Sequence, residues 1–385
     1  LQIRSSPRSK AESFAEKHYP KIINHKFQYF IKGERKMKRM IAIVLALTMI
    51  MGLAACGAAG KSETAGTSET AASESAVASE SNTPEDTTFT LEYPADMQAM
   101  GFTEPVVLAN RPERVVCLST APVLALYELG VNMVGVPSSR VVTWPEDLAA
   151  NAATVSFSAM SSDDFDYESV VALEPDLVFL AASGKDTAGA KLEELGITVY
   201  YLYAGHTVSY DSIKMQTEAL INAFDTGDGA GEAIMQRFTD LENSLEKTRD
   251  AFAGKSVMVL QSGSAEIHYI QTKDGTLGSM LDMIGFENVY VNESSSMVQL
   301  DYEQALDYDP DYVVCVGATD AATHQAVMEE AFSMNPDYWN AIPAVENGNV
   351  ICVDVTYCST AGINIIDNIT ALIGTMSEAT GIAVD

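Results

Sequence analysis

The chain has 385 residues, of which 23 are Lys or Arg and 53 are Asp or Glu, for a net charge of −30. Residues 1–55 hold 11 of the basic side chains and 3 of the acidic ones, which leaves −38 on the remainder. A surface that acidic repels nucleic acid and anionic lipid headgroups, and it excludes nucleic-acid binding as a function.

Residues 1–36 contain no Met and precede a complete export signal, so they are expected to be a non-native upstream extension. Met37 is followed by Lys38 and Arg39, then by an uncharged apolar run from Met40 to Ala55. A basic start, a short apolar stretch and small residues before a cleavage point describe a secretory signal over 37–55. The run is shorter than the ~18–20 apolar residues that cross a bilayer as a helix. Leu53-Ala54-Ala55-Cys56 resembles the end of a bacterial lipoprotein signal, which implies that Cys56 is lipidated and becomes the first mature residue. The expected location is therefore extracytoplasmic, with the chain anchored to the cell membrane by lipid.

Residues 56–88 are nearly all Ser, Glu, Thr, Ala and Gly, a composition that builds no core and predicts a disordered tether. At roughly 5–6 Å × √n, such a tether reaches ~30 Å. Beyond it, Arg114–Leu118, Met133–Val136, Leu177–Ala181 and Thr198–Leu202 read as buried strands. Helical patterns cover Pro122–Leu129, Tyr167–Leu173, Ala188–Leu195 and Ser209–Phe224. In Gly229–Ala253, Ile234, Phe238, Leu241 and Leu245 fall at helical spacing, which predicts one long helix. Strands resume at Ser256–Leu260, Tyr312–Val316 and Val350–Val353, and Ile363–Met376 reads as a closing helix. Apolar strands alternating with helices predict an α/β fold, with a mainly parallel sheet covered on both faces in the first lobe. The expected organisation is an N-terminal lobe over 89–228, a connecting helix over 229–253 and a C-terminal lobe with its closing helix over 254–385.

An internal repeat joins the two lobes. Asp166-Tyr167-Glu168 precedes Pro175-Asp176 and a strand, and Asp301-Tyr302-Glu303 precedes Pro310-Asp311 and a strand, at a constant offset of 135. Each copy predicts a short helix with a carboxylate in its first turn, where the helix dipole favours it. On residues alone, these acids are either helix-start residues of a duplicated fold or functional groups. Of the cysteines, Cys117, Cys315 and Cys352 sit in apolar runs as small buried side chains. Cys358 is near enough to Cys352 for a local disulfide, and the state of that pair is left open.

Arg114-Val-Val-Cys-Leu-Ser119, Val134-Gly-Val-Pro-Ser-Ser139, both repeat copies and Trp339 with Ala344-Val-Glu-Asn-Gly-Asn-Val350 carry a family resemblance. Over nearly all of 103–380 the chain resembles the iron-siderophore, heme and vitamin B12 substrate-binding lipoproteins of ABC importers. That resemblance implies two Rossmann-like lobes joined by a single long α-helix, with the ligand cleft between the lobes. It also implies a monomer that docks on an ABC permease dimer and its ATPase, through Glu168 on one lobe and Glu303 on the other. Two exposed carboxylates on pseudo-symmetric lobes suit two symmetric basic pockets, and such charge pairs set orientation and on-rate.

Cleft residues are expected in loops at the C-terminal ends of strands. Those loops place Ser119, Thr120, Arg140, Phe157, Met160, Lys185 and His206 in the first lobe, and His268, Tyr269 and Tyr357 in the second. Phe157-Ser-Ala-Met160 resembles heme-binding members in which a Met at this place ligates iron. Met160 is thus either an iron ligand or apolar cleft wall, and His324 is a second candidate ligand. Few basic residues are available to a highly anionic catecholate. Heme, a hydroxamate siderophore or a corrin is the expected cargo, with no resident cofactor. No Gly-x-Ser-x-Gly elbow and no His-Glu-x-x-His helix occurs, so no enzyme is predicted. The competing readings are a cobalamin-binding protein of the same family and a non-transport receptor that feeds a sensor.

Overall fold

The computed structural model of the protein describes residues 88–155, 165–203, 208–293 and 295–384. The signal, Cys56, the tether, Phe157, Met160 and His206 lie outside the described residues. A short antiparallel pair, β1 (Phe89–Leu91) and β2 (Val106–Leu108), leads into the first lobe. There, β3 (Val115–Cys117), β4 (Met133–Pro137), β5 (Ala153–Val155), β6 (Leu177–Ala181) and β7 (Val199–Leu202) form a sheet in the order β5-β4-β3-β6-β7. Every pairing is parallel. A parallel strand covered on both faces needs continuous apolar sequence, and Val115–Cys117 and Leu177–Leu180 are wholly buried. Strand order reverses between β3 and β6, which opens a crevice beyond their C-terminal ends.

The second sheet contains β8 (Ser256–Ser264), β9 (Ile267–Gln271), β10 (Glu287–Asn288), β11 (Met297–Gln299), β12 (Tyr312–Val316) and β13 (Val350–Val353). Its order is β11-β9-β8-β12-β13, with β10 beside the start of β8. Only β8, β12, β13 and the short β10 are parallel; β9 and β11 are antiparallel. The second sheet is therefore mixed, whereas the first is wholly parallel. β8 continues four residues past Leu260 and returns as a hairpin, with Ser262 opposite His268.

The helix Ala230–Phe252 follows the first sheet in the chain and precedes the second, and is entered from Gly229 in the left-handed region at φ 94°. Ile234, Phe238, Leu241, Leu245 and Phe252 are buried along one stripe, as their spacing predicts. Glu242 on its flank accepts from Tyr210 Oη (2.9 Å) and Lys214 Nζ (2.6 Å), and Arg237 pairs with Glu128 at 2.7 Å. Val208 N and Tyr210 N donate to Thr276 Oγ1 (3.2 Å) and Ser279 Oγ (3.1 Å) on the helix Thr276–Met283 of the second lobe. One continuous apolar core runs from the first sheet to Val257, Val259, Val314 and Val316 of the second. The alternating residues Met258, Leu260, Val313 and Cys315 face a smaller core with Trp339. Close-packed interiors resist deformation, so this shared core allows the lobes only small relative rotations.

The Pro-Asp element of the repeat has one structural role in both copies. Asp176 accepts from Glu113 N (2.7 Å) and Arg114 N (3.0 Å) at the start of β3. Asp311 accepts from Ser256 N (2.8 Å) and Ser256 Oγ (3.1 Å) at the start of β8. Each aspartate ties the leading strand of its sheet to the strand beside it. The closing helix is Ile365–Thr380, longer than expected, and Gly381 ends it at φ 69°. Just before it, a Cβ on Gly362 would lie 2.5 Å from Ala121 O, so the returning chain passes directly against the first lobe.

None of the four described cysteines is joined in a disulfide. Cys352 stands in register with Cys315 on the neighbouring strand. Cys358 turns away onto the helix Thr356–Ser359, where its thiol donates to Gly317 O at 3.3 Å. Cys352 and Cys358 are not joined, and Cys352 lies on β13 whereas Cys358 lies on the helix that follows it.

Candidate functional site

A cavity of about 240 Å³ opens where the C-terminal strand ends of both sheets meet. Thr120 follows β3; Ser138, Ser139, Arg140 and Val141 follow β4; Ala318 follows β12; Val355 and Ser359 follow β13. The local sequence shapes each wall. Ser139 Oγ accepts from Val141 N (3.2 Å) and Val142 N (3.0 Å), and Trp144 Nε1 donates to Pro137 O (2.7 Å), which folds the β4 loop on itself. Val355 N donates to Thr319 O at 3.0 Å and joins the two second-lobe loops. Asp354 Oδ1 accepts from Thr356 N (2.9 Å) and Thr356 Oγ1 (2.6 Å), which starts the short helix carrying Ser359. The described lining includes one cation, Arg140, and no carboxylate, on a protein that is otherwise strongly acidic.

A larger cavity of about 440 Å³ lies between Glu92–Ala95 and the helix Tyr210–Phe224, within the first lobe alone. It carries Glu92 and Glu218 and no described cation. The smaller cavity is the better candidate, because both sheets contribute strand ends to it and strand ends are where open α/β sheets bind ligands.

Thr120 and Arg140 are the expected site residues that the structure brings to this cavity. Ser119 is buried beside it and accepts from Ala121 N at 3.2 Å. The other described candidates go elsewhere. The Lys185 ammonium sits 4.4 Å from the centre of the Phe102 ring and 5.9 Å from that of Tyr201, a cation–π arrangement within the first lobe. Tyr269 lies in β9, in register with Gln261 and Gln299. Tyr357 is 8% exposed and belongs to the shared core, with its hydroxyl 3.4 Å from Thr375 Oγ1 on the closing helix.

The two histidines are both buried. His268 is buried beneath the β8–β9 turn, with Nδ1 2.7 Å from Ser262 Oγ and Nε2 3.2 Å from Ala265 O. His324, in the first turn of the helix Ala321–Met334, is also buried, and its Nε2 has no partner among the described residues. Its ring packs so tightly on Gly317 that a Cβ there would stand 2.2 Å from Nδ1. His324 therefore lies behind the cavity wall and does not line the cavity. Burial lowers the pKa of both imidazoles, and His268 adds a charge penalty at His324. Among the described residues, no group of three or more His, Cys, Asp or Glu is placed to hold a metal ion.

The paired glutamates stand on capped turns. Glu168 lies exposed on the helix Tyr167–Val171, whose cap Asp166 accepts from Ser169 N at 3.1 Å and also from Ser169 Oγ. Those two bonds hold the Asp166 carboxyl below its usual range. Glu303 is exposed at the head of the turn Gln304–Asp307, a short 3₁₀ helix. Asp301 Oδ1 accepts there from Glu303 N (3.0 Å) and Gln304 N (3.1 Å). Neither glutamate has an ion-pair partner among the described residues. The residues that sequence reading missed are Ser138, Ser139, Val141, Ala318, Val355 and Ser359. They are small or apolar, and only their place just after strand ends marks them.

A cobalamin-binding protein of Halobacterium salinarum is 26% identical over 275 residues, 68% of this chain and 69% of that one. An ABC transporter substrate-binding protein of Listeria monocytogenes superposes with a TM-score of 0.59 at 19% identity, covering 69% of this chain and 98% of the other. The heme complex of IsdE from S. aureus superposes with a TM-score of 0.57 at 19% identity, covering 68% and 98%. The sequence profile described as periplasmic binding protein matches residues 115–356, from the first strand of one sheet to the loop after the last strand of the other. The chain belongs to the periplasmic binding protein family, the substrate-binding proteins of ABC importers.

Proposed function

We propose that this chain is the lipid-anchored receptor of an ABC importer, tethered through Cys56, which captures an iron complex and delivers it to the permease. The observation that carries this reading is the cavity built from the strand ends of both sheets. Its described lining offers one cation, hydroxyls and apolar groups. That supply suits a ligand with an apolar body and few negative charges, such as heme or a hydroxamate-type ferric siderophore, better than a polyanion. Arg140 pairs with a carboxylate or other anionic group of the ligand, and Thr120, Ser138 and Ser139 supply hydrogen bonds. Met160 either coordinates the iron or forms apolar wall. The exposed carboxylates of Glu168 and Glu303 meet basic residues on the two permease subunits. Small rotations of the lobes about the shared core report occupancy to the permease through the placement of these two groups.

Likeness to a cobalamin-binding protein favours a corrin as the second reading. The test is a titration of residues 89–385 with hemin, a ferric hydroxamate and cyanocobalamin, followed by visible absorption and tryptophan emission. Trp144, folded onto the loop that carries Arg140, is the reporter, since Trp339 is buried at 2% exposure in the smaller core. A shifted Soret band saturating at one hemin per chain, weakened by R140A, supports heme. Saturable quenching by the siderophore or cobalamin alone reassigns the cargo. Binding of none of the three overturns the iron-complex and corrin readings together.

A further inference from the structure

The two glutamate turns share a second feature. The 135-residue offset that carries Glu168 to Glu303 also carries Val170 to Ala305 and Val171 to Leu306. Val170 and Ala305 are buried, at 1% and 0%, and root each turn in its lobe. Val171 and Leu306 are instead 42% and 43% exposed. Residues three apart share a face in an α-helix and eclipse one another in a 3₁₀ turn, so each apolar side chain stands on the strip that presents its glutamate. The aspartate caps at Asp166 and Asp301 fix both strips.

One exposed Val or Leu calls for no explanation. Here the same exposed apolar position recurs at the same offset, to the same degree, beside the same carboxylate, on two lobes whose helical turns otherwise differ. A partner that reads both turns must itself be two-fold and basic, because the protein it approaches is strongly acidic. We propose that Val171 and Leu306 are docking residues, each entering an apolar socket next to the basic group that receives Glu168 or Glu303 on the importer's permease dimer. This rests on the docking role proposed above for the glutamates. The two components divide the work. The carboxylates steer encounter and are screened by salt, whereas buried apolar side chains slow dissociation and are nearly indifferent to salt.

The experiment measures binding of the full lipidated chain to its permease–ATPase complex in nanodiscs, by surface plasmon resonance at 50 and 500 mM NaCl. V171S/L306S is expected to weaken binding ~10-fold, mainly through faster dissociation and equally at both salts. E168Q/E303Q is expected to lose most at 50 mM NaCl, through slower association. Melting temperature of each variant shows that it is folded. If E168Q/E303Q loses binding while V171S/L306S matches wild type, the apolar role is overturned and glutamate docking stands. If neither pair alters binding, the docking face itself is wrong.

Discussion

The contact between Gly317 and His324 makes a sharp test of how the cavity wall is built. A methyl group at Gly317 would stand 2.2 Å from Nδ1 and 2.6 Å from Cε1 of a buried imidazole, far inside contact distance. His324 sits in the first turn of its helix at 2% exposure, so the ring cannot swing into solvent without opening the wall. Overpacking of this kind costs ~1–3 kcal/mol. At about 2–4 °C per kcal/mol for a domain of 150–250 residues, G317A should lower the melting temperature by roughly 5 °C. H324A removes the obstructing ring and leaves a void, which is itself destabilising. In that background the added methyl fills space, so G317A should become neutral or stabilising. The double-mutant cycle, measured by urea unfolding, should give a coupling of ~1–3 kcal/mol. Additive costs, within ~0.5 kcal/mol, would refute the steric argument. Ala318 lines the cavity and the Cys358 thiol donates to Gly317 O, so G317A should also weaken ligand binding by shifting that wall.

Two further outcomes follow from the pairings described. D176A and D311A should each cost ~1 kcal/mol, reduced from the usual charge-assisted value because Asp311 is 38% exposed. Unequal costs, differing by more than ~1 kcal/mol in urea unfolding, would sink the equivalence of the two strand clamps. The buried histidines also make stability depend on pH. Their folded-state pKa values lie below the ordinary 6.5, so below pH 6.5 the unfolded chain binds more protons than the native one. Stability should therefore fall as pH drops from 7.5 to 5.5, before most carboxylates titrate, and the slope should flatten in H268L/H324L. An unchanged slope in that variant would show that other groups cause it.

A continuous apolar run was enough to read Arg114–Leu118, Leu177–Ala181, Tyr312–Val316 and Val350–Val353 as buried strands from sequence, because burial on both faces leaves no room for polar alternation. The long helix was equally plain, since a stripe at 3.6-residue spacing has one folded meaning. The repeat located both glutamate turns. By contrast, Ile267–Gln271 hides its strand by burying His268 and Gln271, and it is paired only because β8 turns back on itself. Site residues were chosen by chemistry, which drew attention to His268, His324, Lys185 and Tyr357. Tertiary packing placed the first two and Tyr357 in the interior and Lys185 over an aromatic ring. Thr120 and Arg140 were legible because they follow strand ends next to distinctive motifs. Ser138, Ala318, Val355 and Ser359 bear no chemical mark at all. Sequence by itself determined which segments must be buried, because hydrophobic burial is local in pattern. Only the tertiary structure decided which loops meet across the two sheets, because that depends on strand order and on the core the lobes share.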